Sequence, residues 1–142
     1  MNRRDFTLTA TAAGLGAFTL TGPATATTPL QWTHFPAGER GFFRAPVLLS
    51  GAREAILIDG GFSLPDGRAV AEQIVASGKT LTTIYISQSD PDFYFSLAPI
   101  KAAFPQAQVL AAPATLAAIR GNVQKKLDVW GPQLKEIGRA HV

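Results

Sequence analysis

The chain has 142 residues, with 13 lysines and arginines, 10 aspartates and glutamates and no cysteine, for a formal net charge of +3. The absence of cysteine excludes disulfides, thiolate catalysis and cysteine-ligated metals. Two basic residues and one acidic residue precede position 27, and one of each follows position 135, which leaves 10 against 8 between them. No basic patch remains beyond Lys125 and Lys126, so the composition does not indicate nucleic-acid binding.

The N-terminus has the pattern of an export signal. Arg3-Arg4-Asp5-Phe6 resembles the twin-arginine signature, Thr7 to Thr21 is an uncharged and mildly apolar run, and Ala24-Thr25-Ala26 fits a small-residue cleavage site. An amphipathic helix of the folded domain is the alternative, but the glycines, the threonines and the lack of a polar face disfavour it. The run is also too short and too weakly apolar to span a membrane. We predict a cleaved signal peptide at residues 1–26 and an exported protein, periplasmic or secreted, that has no membrane part after cleavage.

Strand patterns dominate the next section of the chain. Leu30 to Phe35 is a predicted strand, and Gly41 to Ser50 is a second one. Pro46 interrupts the second pattern, which predicts either an edge strand or a strand that begins after the proline. Ala55 to Ile58 is an apolar run typical of a buried strand, and it ends in Asp59-Gly60-Gly61.

A parallel α/β unit follows. The pattern predicts a helix from Asp66 to Ser77, with Gly78 as its stop, and then a strand from Leu81 to Ile86. A short helix is predicted from Leu97 to Phe104, with Ser96 as its N-cap.

The last predicted elements are a short strand from Gln108 to Ala111 and a helix from Pro113 to about Trp130. Gly131-Pro132 is predicted to end this helix. Its predicted core residues share one helical stripe: Leu116, Ile119, Val123 and Leu127.

Polar residues follow the strand from Leu81 to Ile86 abruptly. Because ligands bind at the carboxyl ends of strands in α/β sheets, Asp90 and Asp92 are candidate functional residues. Pro91 favours an extended Asp90, so alternation would place both carboxylates on one side. The alternative is a turn in which the carboxylates only cap backbone N–H groups.

This stretch resembles the Thr-His-x-His-x-Asp-His-x-x-Gly signature of the metallo-β-lactamase-fold hydrolases. The positions of the signature are taken here, in order, by Ser87, Gln88, Asp90, Asp92, Phe93 and Ser96. Only Asp92 is unchanged. Residues 87–93, Ser-Gln-Ser-Asp-Pro-Asp-Phe, stand where the family has its histidine motif. The hairpin followed by a strand that ends in Asp59-Gly60-Gly61 resembles the same family.

The resemblance implies an α/β (α+β) fold, the N-terminal half of an αβ/βα four-layer sandwich. Residues 27–135 would form this partial domain, a mixed sheet with helices on its outer face and an apolar inner face left exposed.

Glu136 to Val142 matches the in-frame translation of a common synthetic sequencing adapter. We therefore expect residues 136–142 to be a non-native tail, His141 to be non-biological and the C-terminal part of a longer protein to be missing.

The resemblance also implies a metal site with a metal-activated hydroxide, held in the family by histidines and a bridging aspartate. Here the ligands would be Gln88, Asp90 and Asp92, or Asp92 would be the base for the attacking water, with Gln88 orienting. Asp59 and Ser87 would hydrogen-bond to the loop and orient it. His34 has no partner at ligand spacing. The cofactor would be a divalent metal (Zn, Mn or Mg), and hard carboxylates favour the last two.

Two functions remain open from the sequence. One is an exported metallo-hydrolase that acts on a small ester or amide through an atypical metal site; the fragment alone would then be inactive. The other is a metal-free, non-catalytic scaffold of the same fold that binds a small molecule or a protein. The expected partner is a small-molecule substrate or ligand, or for the scaffold alternatively a protein, and no nucleic acid is expected.

Overall fold

The computed structural model describes residues 29–134. The predicted signal peptide at residues 1–26 and the predicted tail at residues 136–142 lie outside the described residues. A five-stranded sheet organises the described part, in the order β1-β2-β3-β4-β5. The strands are β1 (Gln31–His34), β2 (Val47–Ser50), β3 (Glu54–Ile58), β4 (Thr80–Ile86) and β5 (Gln108–Ala111).

The sheet is mixed: β1, β2 and β3 are antiparallel neighbours, whereas β3, β4 and β5 run parallel. The helices are α1 (Leu64–Ala76), α2 (Leu97–Ala103) and α3 (Pro113–Leu134), and two short 3₁₀ turns lie at Glu39–Gly41 and Pro91–Phe93. The predicted α/β class and the parallel β-α-β unit are confirmed. Strand β2 begins after Pro46, as one of the two alternatives required, and it lies inside the sheet.

The helices cover one face of the sheet. Leu48, Leu57 and Ile84 are cross-strand neighbours on that face, and all three are buried. The helical residues buried in the same cluster are Val70, Ala71 and Ile74 of α1, Leu97 and Ile100 of α2 and Ile119 of α3. This cluster is the core of the described part.

The opposite face of the sheet carries apolar side chains that nothing in residues 29–134 covers. Ile56 is 40% exposed, Leu110 48% and Trp32 67%. Tyr85 pairs with Ile58 on one side and with Leu110 on the other, so these residues form a continuous row. The predicted exposed apolar face is confirmed.

Helix α1 begins at Leu64, two residues before the predicted start. Ser63 accepts a hydrogen bond from the backbone N–H of Asp66, whose carboxylate accepts one from the Ser63 N–H. Pro65 lies in the first turn, where its missing N–H costs nothing. The capping box therefore sets the start of the helix.

Helix α3 continues to Leu134, so the prediction that Gly131-Pro132 ends it was wrong. Pro132 removes one hydrogen bond from the last turn. Trp130 and Leu134, on either side of it, pack against the core, and this packing outweighs the local preference.

Ser96 is the N-cap residue of α2, as predicted, but its side chain makes no capping hydrogen bond. It is fully buried, and its hydroxyl has no partner within the described residues. The backbone of Ser96 lies directly against Gly67 of α1, where a Cβ would lie 2.9 Å from Pro99 Cγ. Close approach of α1 and α2 thus fixes the position of Ser96.

Among residues 29–134, no helix is long and apolar enough to cross a membrane.

Candidate functional site

The sheet topology brings two loops to one edge. The carboxyl ends of the parallel strands β3 and β4 share that edge. Because β2 runs antiparallel to β3, the loop that joins β1 to β2, residues 35–46, reaches the same edge. The turn after β4 therefore lies next to the loop of residues 35–46, which is far from it in the sequence.

Asp59 and Ser87 lie together at this edge. The Asp59 carboxylate accepts hydrogen bonds from the Ser87 N–H and from the Ser87 hydroxyl, both at 2.8 Å. Asp59 has a left-handed backbone, with φ of 64°. Burial raises the pKa of Asp59 above its ordinary value of 3.8, and the hydrogen bonds from Ser87 oppose that rise. The pair ties the end of β3 to the first residue after β4.

We expect Asp59→Asn to keep the fold and Asp59→Ala to weaken it. Asparagine accepts the Ser87 N–H bond and tolerates a left-handed backbone, whereas alanine does neither. The alanine variant should lose about 2 kcal/mol of unfolding free energy, as measured by urea denaturation at neutral pH.

The pH dependence gives a second check on Asp59. Since its pKa is raised in the folded protein, its contribution to stability is fully present below the unfolded value of 3.8 and is lost as pH rises through the folded value. The stability of Asp59→Asn relative to the native protein should therefore increase over that range. A difference that stays constant with pH would contradict the raised pKa.

Asp92 forms an ion pair with Arg44. The Arg44 Nε donates to Asp92 Oδ2, although the two residues are 48 positions apart. The guanidinium carbon of Arg44 lies 4.4 Å from the centroid of the Phe93 ring, a cation–π contact. The Asp92 side chain is only 12% exposed, so Arg44 supplies a positive charge to a largely buried carboxylate.

Asp90 is paired with a different cation. Lys126 Nζ of α3 lies 3.2 Å from Asp90 Oδ1 and also donates to the Ser89 carbonyl oxygen. The Asp90 side chain is 65% exposed. Burial, and then the charge of Asp90, raise the pKa of Tyr94 to about 12, so Tyr94 stays protonated at neutral pH.

The two carboxylates do not share one extended segment. Asp90 is extended, as predicted from Pro91, with φ of −82° and ψ of 147°. Pro91–Phe93 then forms a 3₁₀ turn, so the predicted alternation through Asp92 was wrong. The turn directs Asp90 to α3 and Asp92 to the loop of residues 35–46.

The residues in the predicted metal-ligand positions do not fit a divalent metal. Asp90 and Asp92 already have cationic partners, and Phe93 has no donor atom. Gln88 is exposed and makes no side-chain hydrogen bond within residues 29–134. The described part of the chain has no group of three or more histidine, aspartate or glutamate residues able to hold a metal ion. His34 is exposed at the end of β1, with its ring 5.8 Å from that of Trp32.

A cavity of about 300 Å³ lies over the turn. Its lining residues are Phe42, Arg44, Phe62, Asp90, Pro91, Asp92, Lys126 and Trp130. The rings of Phe42, Phe62 and Trp130 pack edge to face, with centroids 5.2 to 5.7 Å apart. We call this space the aromatic cavity. It combines an apolar wall with a few charged groups, and small-molecule sites likewise place a few polar groups in a mostly apolar lining.

Sequence reasoning missed most of this lining. Arg44 and Phe42 lie in the loop of residues 35–46, Phe62 lies between β3 and α1, and Trp130 lies in α3. No local sequence motif connects these three segments. Lys126 was noted only as part of a basic pair. The left-handed backbone of Phe42, with φ of 54°, is the one structural irregularity in this lining, and its sequence gives no sign of it.

No protein-family model and no curated protein matches the sequence. Similar solved structures include the HARLDQ-motif metallo-β-lactamase of Cronobacter sakazakii, at 28% identity and a TM-score of 0.43, which covers 50% of this chain and 26% of that one. SMB-1 bound to 2-mercaptoethanesulfonate matches at 25% identity and a TM-score of 0.49, over 66% of this chain and 38% of that one.

FIM-1 from Pseudomonas aeruginosa, in its mono-zinc form, matches at 13% identity and a TM-score of 0.49, over 68% of this chain and 48% of that one. The chain thus spans less than half the length of each of these three proteins. Over half to two thirds of its own length, the chain is similar to part of a metallo-β-lactamase, the family whose motif its sequence resembles.

Proposed function

We propose that the described part of this chain binds a small molecule in the aromatic cavity without a metal ion. One observation carries the proposal: Arg44 and Lys126 neutralise Asp92 and Asp90, the two carboxylates in the predicted metal-ligand positions. A divalent cation would have to displace both partners and would bring its own charge next to Arg44.

The cavity itself supports binding. Three aromatic rings give an apolar wall, and the ion pairs at the turn give fixed polar groups that orient a ligand. Its volume of about 300 Å³ is at the lower end of the range for ligand sites, so the ligand is small.

Trp130 provides a test because it lines the cavity and the chain has only one other tryptophan, Trp32. Trp32 is 67% exposed, on β1. In Trp32→Phe, Trp130 is the only tryptophan, and its fluorescence reports the aromatic cavity together with the adjoining cavity of about 620 Å³ that Trp130 also lines. We expect saturable changes with a subset of small aromatic fragments of mixed charge, and the same dissociation constants in the presence of EDTA.

The matched control is Trp130→Phe, in which Trp32 is the only reporter and the emission should not respond. Absence of a saturable change with every fragment, or a change that EDTA removes, would overturn the proposal.

A metal-assisted hydrolase that acts on a small ester or amide is the second candidate. It is favoured by Asp92, which matches the family motif, and by the hydrogen bonds that join Asp59 to Ser87 beside it. In that case a divalent metal would have to compete with Arg44 for Asp92.

We also propose that the protein is exported, which the twin-arginine pattern of Arg3 and Arg4 and the cleavage pattern at Ala24-Thr25-Ala26 support. Replacing both arginines by lysine should abolish a processed form with Thr27 at its N-terminus. N-terminal sequencing of protein from the periplasm of a bacterial host checks this.

A further inference from the structure

We infer that Arg44 is the anion receptor of the aromatic cavity and that the ligand is a small molecule with one carboxylate on an aromatic body. The inference rests on the proposed function, because it names the ligand class of the same cavity.

Arg44 is held in place from two sides. Its Nε donates to Asp92, and its guanidinium group stacks over the Phe93 ring at 4.4 Å. These contacts fix the plane of the guanidinium group before a ligand binds. Ligand binding then loses less side-chain entropy than it would with a flexible arginine.

The fixed guanidinium group keeps most of its hydrogen-bonding capacity. Arginine has five N–H donors, and the bond to Asp92 uses only the one on Nε. The two terminal nitrogens, Nη1 and Nη2, have no partner within residues 29–134, and the Arg44 side chain is 44% exposed. Two parallel N–H groups of this kind match the two oxygens of a carboxylate.

Lys126, the other cation of the cavity, already uses its ammonium group in hydrogen bonds within the protein. Lys126 Nζ donates to the Ser89 carbonyl oxygen and to Asp90, and its side chain is 20% exposed. Lys126 therefore secures the turn, and Arg44 is the cation left to bind a ligand.

The charges around Arg44 limit the charge of the anion that can bind. Arg44 with Asp92 and Lys126 with Asp90 cancel in pairs. Asp59 lines a smaller neighbouring cavity together with Arg44 and Asp92, and its carboxylate accepts hydrogen bonds from Ser87. The three carboxylates outnumber the two cations, so a phosphate dianion would be repelled more strongly than a singly charged carboxylate.

The apolar wall determines the rest of the ligand. Phe42, Phe62 and Trp130 present ring edges and faces to the cavity that contains Arg44. An aromatic ring stacks on such a wall, with centroid distances like those among the three rings themselves.

Phenylacetate, phenylacetamide and benzylamine test the inference, with Trp130 fluorescence in Trp32→Phe as the readout. We expect phenylacetate to bind about ten times more tightly than the neutral amide and benzylamine to bind more weakly still. Arg44→Lys keeps the positive charge beside Asp92 but lacks the fork, so the preference for acid over amide should fall to about twofold or less.

Arg53→Gln is the control for loss of one positive charge, because Arg53 lies in the turn between β2 and β3, at the other end of these strands from the cavity. It should keep the preference for the acid. Equal binding of acid and amide by the Trp32→Phe protein, or an unchanged preference in Arg44→Lys, would overturn the anion receptor and leave small-molecule binding intact. Failure of fragments of every charge to change the emission would instead overturn the proposed function.

Discussion

Replacing Gly67 by alanine is expected to destabilise the protein by about 3 kcal/mol, because the new methyl group has no room. Gly67 is buried in α1, and a Cβ there would overlap the Ser96 carbonyl oxygen and lie 2.9 Å from both Ser96 Cβ and Pro99 Cγ. The obstructing atoms include backbone, which cannot rotate away as a flexible side chain does. Urea denaturation monitored by circular dichroism measures the loss.

Gly121→Ala is the matched control. Gly121 also lies within a helix, α3, but a Cβ there would meet no atom within 4 Å. Alanine should therefore stabilise that helix by about 0.5–1 kcal/mol, through the usual difference in helix propensity. Equal effects of the two substitutions would contradict the close packing of α1 on Ser96.

The second large effect is expected from Asp92→Asn. The substitution leaves Arg44 without its charged partner at a site where the Asp92 side chain is only 12% exposed. We expect a loss of about 2 kcal/mol in unfolding free energy. Asp90→Asn, at a side chain that is 65% exposed, should cost less than about 1 kcal/mol.

Divalent metals separate the two candidate functions in the same experiment. If Arg44 satisfies Asp92 as proposed, Mg, Mn, Zn and EDTA should leave the melting temperature of the native protein and of Asp92→Asn unchanged. A metal site would instead raise the melting temperature of the native protein alone, because a metal that binds the folded state stabilises it by mass action. That second pattern would favour the metallo-hydrolase.

Much of the fold could be predicted from local patterns in the sequence. Ala55 to Ile58 and Leu81 to Ile86 are apolar, rich in β-branched residues and separated by a helical pattern, which is enough to specify parallel neighbours. Errors occurred where contacts distant in sequence outweighed local preference. Trp130 and Leu134 keep α3 helical past Pro132. Ser96 is the N-cap residue of α2 as predicted, but it packs against Gly67 and its side chain makes no capping hydrogen bond.

The candidate site could be predicted only in part for the same reason. The position of Asp90 and Asp92 at the carboxyl edge follows from where β4 ends, and the hydrogen bonds between Asp59 and Ser87 follow from two neighbouring strand ends. The cations that neutralise the carboxylates come from 48 positions earlier and 36 positions later in the chain. A sequence motif has no information on partners at that separation.

The turn from Ser89 to Asp92 is hydrogen-bonded to two segments that are far from each other in the sequence. Arg44 bonds it to the loop of residues 35–46, and Lys126 bonds it to α3. Each bond closes a long chain segment, but α3 is also held by its own packing against the core through Ile119. Local unfolding of the turn should therefore release the loop of residues 35–46 before α3, and the amide hydrogens of the loop should exchange with solvent at a lower opening free energy than those of α3.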